Sequence, residues 1–208
     1  MGFEILEGAT GVYVVVSPTA RTAPDWPARG YAGPSGRLDV LARAALAAVE
    51  AEPGSVFAGV LLGPPRPPGI LLVSRACIAG AASERGVMEV FRRLLSGKRI
   101  GGCEALWEPP ERLFHELGRR GYRVYILEEG GVDVSRVPGA LEAGAAFVAG
   151  AHLDVPPEVL SAARRYSQAR VSVGPRSLLV SHVIAFLGVA RTARLYGEHR
   201  EHHGASRP

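Results

Sequence analysis

Arg170-Val-Ser-Val-Gly-Pro-Arg-Ser-Leu-Leu-Val-Ser-His-Val-Ile-Ala-Phe-Leu187 is the stretch on which the reading of this chain turns. Val171 to Val173 read as a short β-branched strand, Gly174-Pro175 as a corner, and Ser177 to Tyr196 as an apolar helix. Proline suits a first helical position, where its missing N–H is no loss and its φ is already set. Glycine lets the backbone approach whatever lies in front of the new helix, whose free N–H groups converge on the same spot. Many α/β proteins build a ligand site at such a strand–corner–helix junction.

Working outward from this corner, strands and helices alternate. Val12 to Val16 is a β-branched run, followed by a Pro/Gly-rich loop from Arg21 to Gly36. Leu38, Leu41, Ala45, Ala48 and Val49 recur at helical spacing. Val56 to Leu62 and Ile70 to Val73 read as strands around the rigid turn Gly63 to Gly69. Ser83 N-caps a helix to Leu95, and Glu111 to Arg120 is a second, closed by Gly121. Tyr122 to Leu127 and Ala145 to Ala149 are strands, with a proline-started helix from Pro156 to Tyr166 behind them. Several strands are continuously apolar, the mark of a mainly parallel sheet with helices on both faces. The expected organisation is one α/β domain over residues 1–197. A polar, flexible tail over 198–208 carries His199, His202 and His203.

Bulk composition narrows the class. The chain has 208 residues, 47% hydrophobic and 21% charged, as in a soluble domain with a full core. It holds 23 arginines against the single lysine Lys98, one glutamine (Gln168) and no asparagine. Loss of thermolabile amides fits a hot habitat, and arginine over lysine also follows from a GC-rich genome. The net charge of +4 permits a polyanionic partner. Clusters such as Arg92-Arg93, Arg119-Arg120 and Arg164-Arg165 suit either solvated helix ends or RNA phosphates. Cys77 and Cys103 lack C-x-x-C spacing, so neither a zinc site nor a disulfide framework is implied. The apolar stretch Leu178 to Ala190 is shorter than the roughly 20 residues of a membrane span. A cytoplasmic protein with no membrane and no metal is expected. Walker, dinucleotide-binding and nucleophile-elbow motifs do not occur, which disfavours the common nucleotide and hydrolase chemistries.

Two constellations are left to carry chemistry. Three strand ends in the C-terminal half precede glycine or a glycine-bearing turn: Leu127 before Glu128-Glu129-Gly130-Gly131, Gly150 before Ala151-His152, and Val173 before Gly174-Pro175. In a parallel sheet, ligands bind beyond the carboxyl ends of the strands, so a small-molecule pocket is expected there. The second is Ser35-Gly36-Arg37-Leu38-Asp39, where a loop opens the first helix. The macrodipole alone favours Asp39 in a first turn, but it disfavours the guanidinium of Arg37. The pair suits an anionic or enolizable substrate group.

The order Ser-Gly-Arg-Leu-Asp-Val-Leu, Leu-Leu-Gly-Pro-Pro-Arg-Pro-Pro, Ala-Ser-Glu-Arg, Tyr-Ile-Leu, Val-Ala-Gly-Ala-His-Leu and Arg-Val-Ser-Val-Gly-Pro through Ser-His-Val-Ile spans roughly Gly36 to Leu187. This colinear set resembles the archaeal tRNA pseudouridine-54 N1-methyltransferase family of the SPOUT superfamily. The resemblance implies a C-terminal trefoil knot, a homodimer, S-adenosylmethionine as methyl donor and tRNA as partner. It also implies cofactor contacts at Leu127, Gly150, Val173, Gly174, Pro175, Arg176, Ser177, Leu178 and Val183. The chain departs from the family pattern at Ala151, where aspartate is usual, at Gly174 to Leu178, where Ser-Pro-Leu-Glu-Leu is usual, and at Val183, where a cysteine is usual. The implied chemistry is in-line attack on a sulfonium methyl by N1 of pseudouridine. Asp39 accepts the N1 proton, directly or through water, and Arg37 stabilises the developing charge or grips a phosphate. Two alternatives stand beside it: a non-catalytic RNA-binding dimer on the same scaffold, and a paralogue acting on pseudouridine in rRNA.

Overall fold

The computed structural model describes the backbone of residues 2–204 and the side chains through residue 195. Residues 205–208 and the side chains of His199, His202 and His203, in the expected tail, lie outside the described residues. The strands are β1 (Gly11–Ser17), β2 (Val56–Leu61), β3 (Gly69–Ser74), β4 (Cys103–Leu106), β5 (Arg123–Asp133), β6 (Ala145–Gly150) and β7 (Ser167–Ser172). The helices are α1 (Leu38–Ala51), α2 (Arg75–Ile78), α3 (Glu84–Leu95), α4 (Pro110–Arg119), α5 (Pro157–Arg164) and α6 (Val180–Gly204). All strands join one sheet in the order β4-β3-β2-β1-β6-β5-β7. The pairs β1–β2, β1–β6, β5–β6 and β5–β7 are parallel, while β2–β3 and β3–β4 are antiparallel.

Burial explains why β1 reads as an unbroken apolar run. Every residue from Gly11 to Ser17 is buried, with Tyr13 and Val15 in one core and Val12, Val14 and Val16 in the other. The first core is closed by α1, α3 and α6 through Leu41, Phe91 and Leu187. The second is closed by α4 and α5 through Leu113, Phe114 and Val159. Helices therefore cover both faces, each fully buried aliphatic side chain contributing about 1.5–3 kcal/mol. From β1 the chain winds out to β4 on one side, then returns to place β6, β5 and β7 on the other. The reversal falls between β1 and β6, and open α/β sheets bind ligands beyond the carboxyl ends of their strands near such a point.

Four local features differ from the sequence expectations, the first being β5, which runs past Leu127 to Asp133. β7 starts at Ser167, and α6 starts at Val180 rather than Ser177, so Pro175 lies in an open loop over 173–179. The Ser172 hydroxyl holds this loop's first turn, donating to the Gly174 carbonyl (2.8 Å) and accepting from the Gly174 N–H (3.2 Å). Helical bonding then begins at the Leu179 carbonyl, which accepts from His182 N (2.8 Å) and Val183 N (3.1 Å). β4 carries no β-branched residue and is a half-buried edge strand, so periodicity gave it no signal. Finally, Cys77 and Cys103 form a disulfide, where spacing had implied none. Antiparallel pairing of Val73 with Cys103 brings β4 beside the start of α2, leaving the two Cα atoms 5.2 Å apart.

Candidate active site

A cleft of about 1100 Å³ opens beyond the carboxyl ends of β6 and β7 and alongside the middle of β5, at Ile126 to Glu129. Its walls include Leu127, Gly150, Val173, Gly174, Arg176, Ser177, Leu178 and Val183, every residue expected to hold the cofactor except Pro175. The expected strand ends at Gly150 and Val173 thus meet Leu127 around one cavity, but β5 does not end at Leu127: it runs on to Asp133 after a break in its register with β7. Its apolar lining comes from Leu127, Ala149, Val173, Leu178 and Val180, and its polar lining from Glu128, Glu129, Arg37, Arg43, Asp154 and Arg176. The loop contributes backbone donors, since among the described residues the N–H groups of Arg176 to Leu179 have no protein acceptor. Such a mix of apolar surface and free backbone donors is what a nucleoside-bearing ligand needs.

Glycine at position 150 has a reason in the protein itself. A Cβ there would sit 2.2 Å from the Leu153 carbonyl, because the chain doubles back immediately after β6. A Cβ at Gly174 would meet no protein atom within 4 Å, which leaves that side of the loop open. The residues at which the chain departs from the family pattern also line the cleft: Ala151, Ser177 and Val183. Ala151 donates its N–H to the Val16 carbonyl (2.9 Å), which ties the start of this turn to β1.

The polar corner is built by strained backbone. Arg37 caps α1 in the left-handed region (φ 68°), directly after Gly36 (φ 66°). At Gly36 a Cβ would lie 1.8 Å from the Thr19 carbonyl, so no side chain fits there. Holding a non-glycine residue in this region costs about 1–3 kcal/mol. A forked ion pair opposes the cost: Arg37 Nε donates to Asp39 Oδ1 (3.0 Å) and Nη2 to Asp39 Oδ2 (3.1 Å). Arg43 Nη2 also meets Asp39 Oδ2 (3.1 Å), and its Nη1 donates to Glu84 (2.6 Å). Burial pushes the Asp39 carboxyl up, but the Arg37 hydrogen bonds and the charges of Arg37 and Arg43 together hold it below the ordinary carboxylate range. Arg37 lines the cleft with 44% of its side chain exposed, while Asp39 stands behind it at 4%.

His152 completes this corner, and the sequence had assigned it no role. Its Nε2 lies 3.3 Å from the Thr19 hydroxyl, which itself donates to the Gly36 carbonyl (2.8 Å). Partial burial, then the Arg37 charge, push the imidazole below its ordinary value, with Asp39 opposing. Thr19 and His152 are 133 positions apart, so no local spacing announces the contact. Among the described residues no cluster of three or more His, Cys, Asp or Glu side chains is placed to hold a metal ion.

Residues 11–192 match a protein family described as "Putative SAM-dependent RNA methyltransferase". A tRNA (pseudouridine(54)-N(1))-methyltransferase of Aeropyrum pernix is 40% identical over 196 residues, covering 92% of this chain and 99% of the relative. One of the same description from Pyrococcus abyssi is 30% identical over 198 residues, covering 86% and 95%. Among solved structures, Archaeoglobus fulgidus Nep1 bound to S-adenosylhomocysteine superposes with a TM-score of 0.59 at 16% identity, over 90% of this chain and 99% of that one.

Proposed function

Because the chain belongs to this family of SAM-dependent RNA methyltransferases, we propose that it methylates N1 of pseudouridine 54 in tRNA with S-adenosylmethionine as donor. The observation that carries the reading is the convergence of the ends of β6 and β7, the middle of β5 and the 173–179 loop on one cleft of about 1100 Å³. Leu127, Gly150, Val173 to Leu178 and Val183 would hold the cofactor, the apolar walls taking the adenine and the free loop N–H groups its polar edges. When bound, the cofactor supplies an electrophilic methyl on a sulfonium, so the protein's task is orientation and charge control.

Arg37 faces the cleft with its Nη1 donating to no protein group among the described residues. It grips the base carbonyl or a neighbouring phosphate, stabilising the charge that develops as N1 loses its proton. Asp39 was expected to take that proton. With both of its oxygens on guanidiniums and 4% exposure, it is better suited to clamp Arg37 in its strained pose. The target nucleotide leaves its stack to reach the cleft, at a cost of a few kcal/mol.

A homodimer is supported by the outer face of α6 and its approach. Leu179, Phe186 and Val189, spaced seven and three residues apart, are 63%, 52% and 61% exposed. An apolar stripe of this kind marks an association surface. It borders the cleft through Leu179. The resemblance adds a trefoil knot in the chain leading into α6. A tRNA substrate places the protein in the cytoplasm, where a disulfide is unusual except in hyperthermophiles. The curated relatives come from thermophilic archaea. No helix among the described residues is long and apolar enough to cross a membrane.

Nucleoside mass spectrometry tests the proposal: pseudouridylated tRNA incubated with the protein and isotopically labelled cofactor should yield labelled N1-methylpseudouridine. Label in an rRNA hairpin instead would move the substrate to rRNA. Tight tRNA binding with no labelled product would make the protein a non-catalytic RNA binder.

A further inference from the structure

At the Arg37 corner of the cleft there is a cation and a clamp. Among the described residues Asp39 is the only carboxylate paired with Arg37, and both of its oxygens are held by guanidiniums. His152 stands at the same corner, exposed, on the turn that follows β6.

The hydrogen bonds around Thr19 set the state of its ring. The Thr19 hydroxyl has one proton, and the Gly36 carbonyl takes it at 2.8 Å. Towards His152 the hydroxyl oxygen is therefore an acceptor, so Nε2, at 3.3 Å, carries the hydrogen. The other nitrogen, Nδ1, is left with a lone pair and no protein partner among the described residues. Partial desolvation by its neighbours and the Arg37 charge favour the uncharged ring, with Asp39 opposing. Gly36 and Arg37 owe their left-handed backbone to this same junction, so the strain that aims Arg37 also presents the carbonyl that orients Thr19. One turn of backbone thus fixes a cation and a neutral base side by side.

We propose that Nδ1 of His152 is the proton acceptor for N1 of the target base. This rests on the methyltransferase reading above and adds a catalytic residue to it. As transfer proceeds, the N1–H bond breaks and its electron pair forms the N1–CH₃ bond. The S–CH₃ bond of the sulfonium donor breaks with its pair left on sulfur, giving a neutral thioether. The proton ends on Nδ1, and the imidazolium then releases it to water at the open side of the cleft. Arg37 balances the charge on the base during transfer, and its repulsion of the imidazolium speeds that release.

Nitrogen-15 NMR of the protein without RNA, with the His152 signals assigned by their loss in His152→Ala, reads the tautomer directly. Nε2–H is expected in the wild type, and a mixture of tautomers in Thr19→Val, which keeps the side-chain shape. In single-turnover methylation, His152→Ala is expected to be about 10²-fold slower or more. Its cofactor and tRNA affinities should be unchanged, and added imidazole should restore part of the rate. An Nδ1–H tautomer, a His152→Ala rate equal to wild type, or a loss explained wholly by weaker cofactor or tRNA binding would overturn the proposal. Failure of the wild-type protein to methylate any RNA would instead strike the reading on which it rests.

Discussion

Helix α1 carries a nearly buried carboxylate at each end, and the two have been put to different uses. Asp39, in the first turn, is paired with Arg37 and Arg43 beside the cleft. Glu52, just past the last turn, is paired with Arg191 of α6, whose side chain is fully buried. The macrodipole favours the first carboxylate and opposes the second, so Glu52 stands there only because of its partners. Those partners are complete. Arg191 donates through Nε (2.8 Å) and Nη2 (3.0 Å) to Glu52, again through Nη2 to the Thr10 carbonyl (2.8 Å), and through Nη1 to the carbonyls of Ala140 (3.1 Å) and Glu142 (2.5 Å). Thr10 and Tyr13 hydroxyls add two bonds of 2.7 Å to the Glu52 oxygens. The guanidinium at the other end keeps Nη1 without a partner among the described residues and 44% of its side chain in solvent. A satisfied ion pair bolts α6 to the sheet, whereas the other leaves a guanidinium edge facing the cleft.

The largest expected effect lies at the finished end. Arg191→Met leaves Glu52 as an uncompensated buried charge and should cost about 3–5 kcal/mol in urea unfolding. Arg37→Ala, at a half-exposed pair, should cost under about 1 kcal/mol. Adding Glu52→Gln to Arg191→Met should return part of the loss. Equal costs for Arg191→Met and Arg37→Ala would erase the distinction between the two ends.

The disulfide offers a second purely structural tie, since neither Cys77 nor Cys103 lines the cleft. Its closure of a 26-residue separation should contribute about 2–4 kcal/mol. Cys77→Ser should therefore lower the melting temperature while leaving cofactor affinity unchanged. At the Arg37 end the expectation is reversed. Arg37→Ala should reduce methyl transfer about 10²-fold with little change in stability. Arg37→Lys should recover only a part of that rate, because an ammonium cannot reproduce the fork onto Asp39.

Acid gives the smallest and most graded contrast. Burial pushes the Glu52 carboxyl up, but the Arg191 bonds and charge together bring it below its ordinary value of 4.5. A depressed carboxylate stabilises the fold above its unfolded value and loses that contribution as pH falls through the folded one. Unfolding free energy should therefore decline below about pH 4.5 in the wild type. In the Glu52→Gln/Arg191→Met double variant, the decline should be shallower. Parallel acid profiles would remove Glu52 from the account of stability.

How much of this could be read from the chain depends on whether the signal is local. The run Val12 to Val16 predicts a doubly covered strand because burial on both faces leaves no polar alternation to hide it. Gly150 and Gly174 mark the cleft because strand ends and tight turns leave local residue signatures. The start of α6 at Val180 escaped because Pro175 is equally at home in a loop, and the Ser172–Gly174 bonds that decide the matter are not a propensity. Contacts between distant residues left no trace at all. Glu52 and Arg191 are 139 positions apart, and Thr19 and His152 are 133. Only the topology, which sets β1 between β2 and β6, brings such partners together.

Calorimetric titration of the purified protein with S-adenosylmethionine is the most direct trial of the cleft as a cofactor site. Saturable binding at one site per chain is expected, lost when Val173→Trp fills the cavity and retained in Arg191→Lys. No heat of binding at millimolar cofactor, or binding indifferent to Val173→Trp, would contradict it.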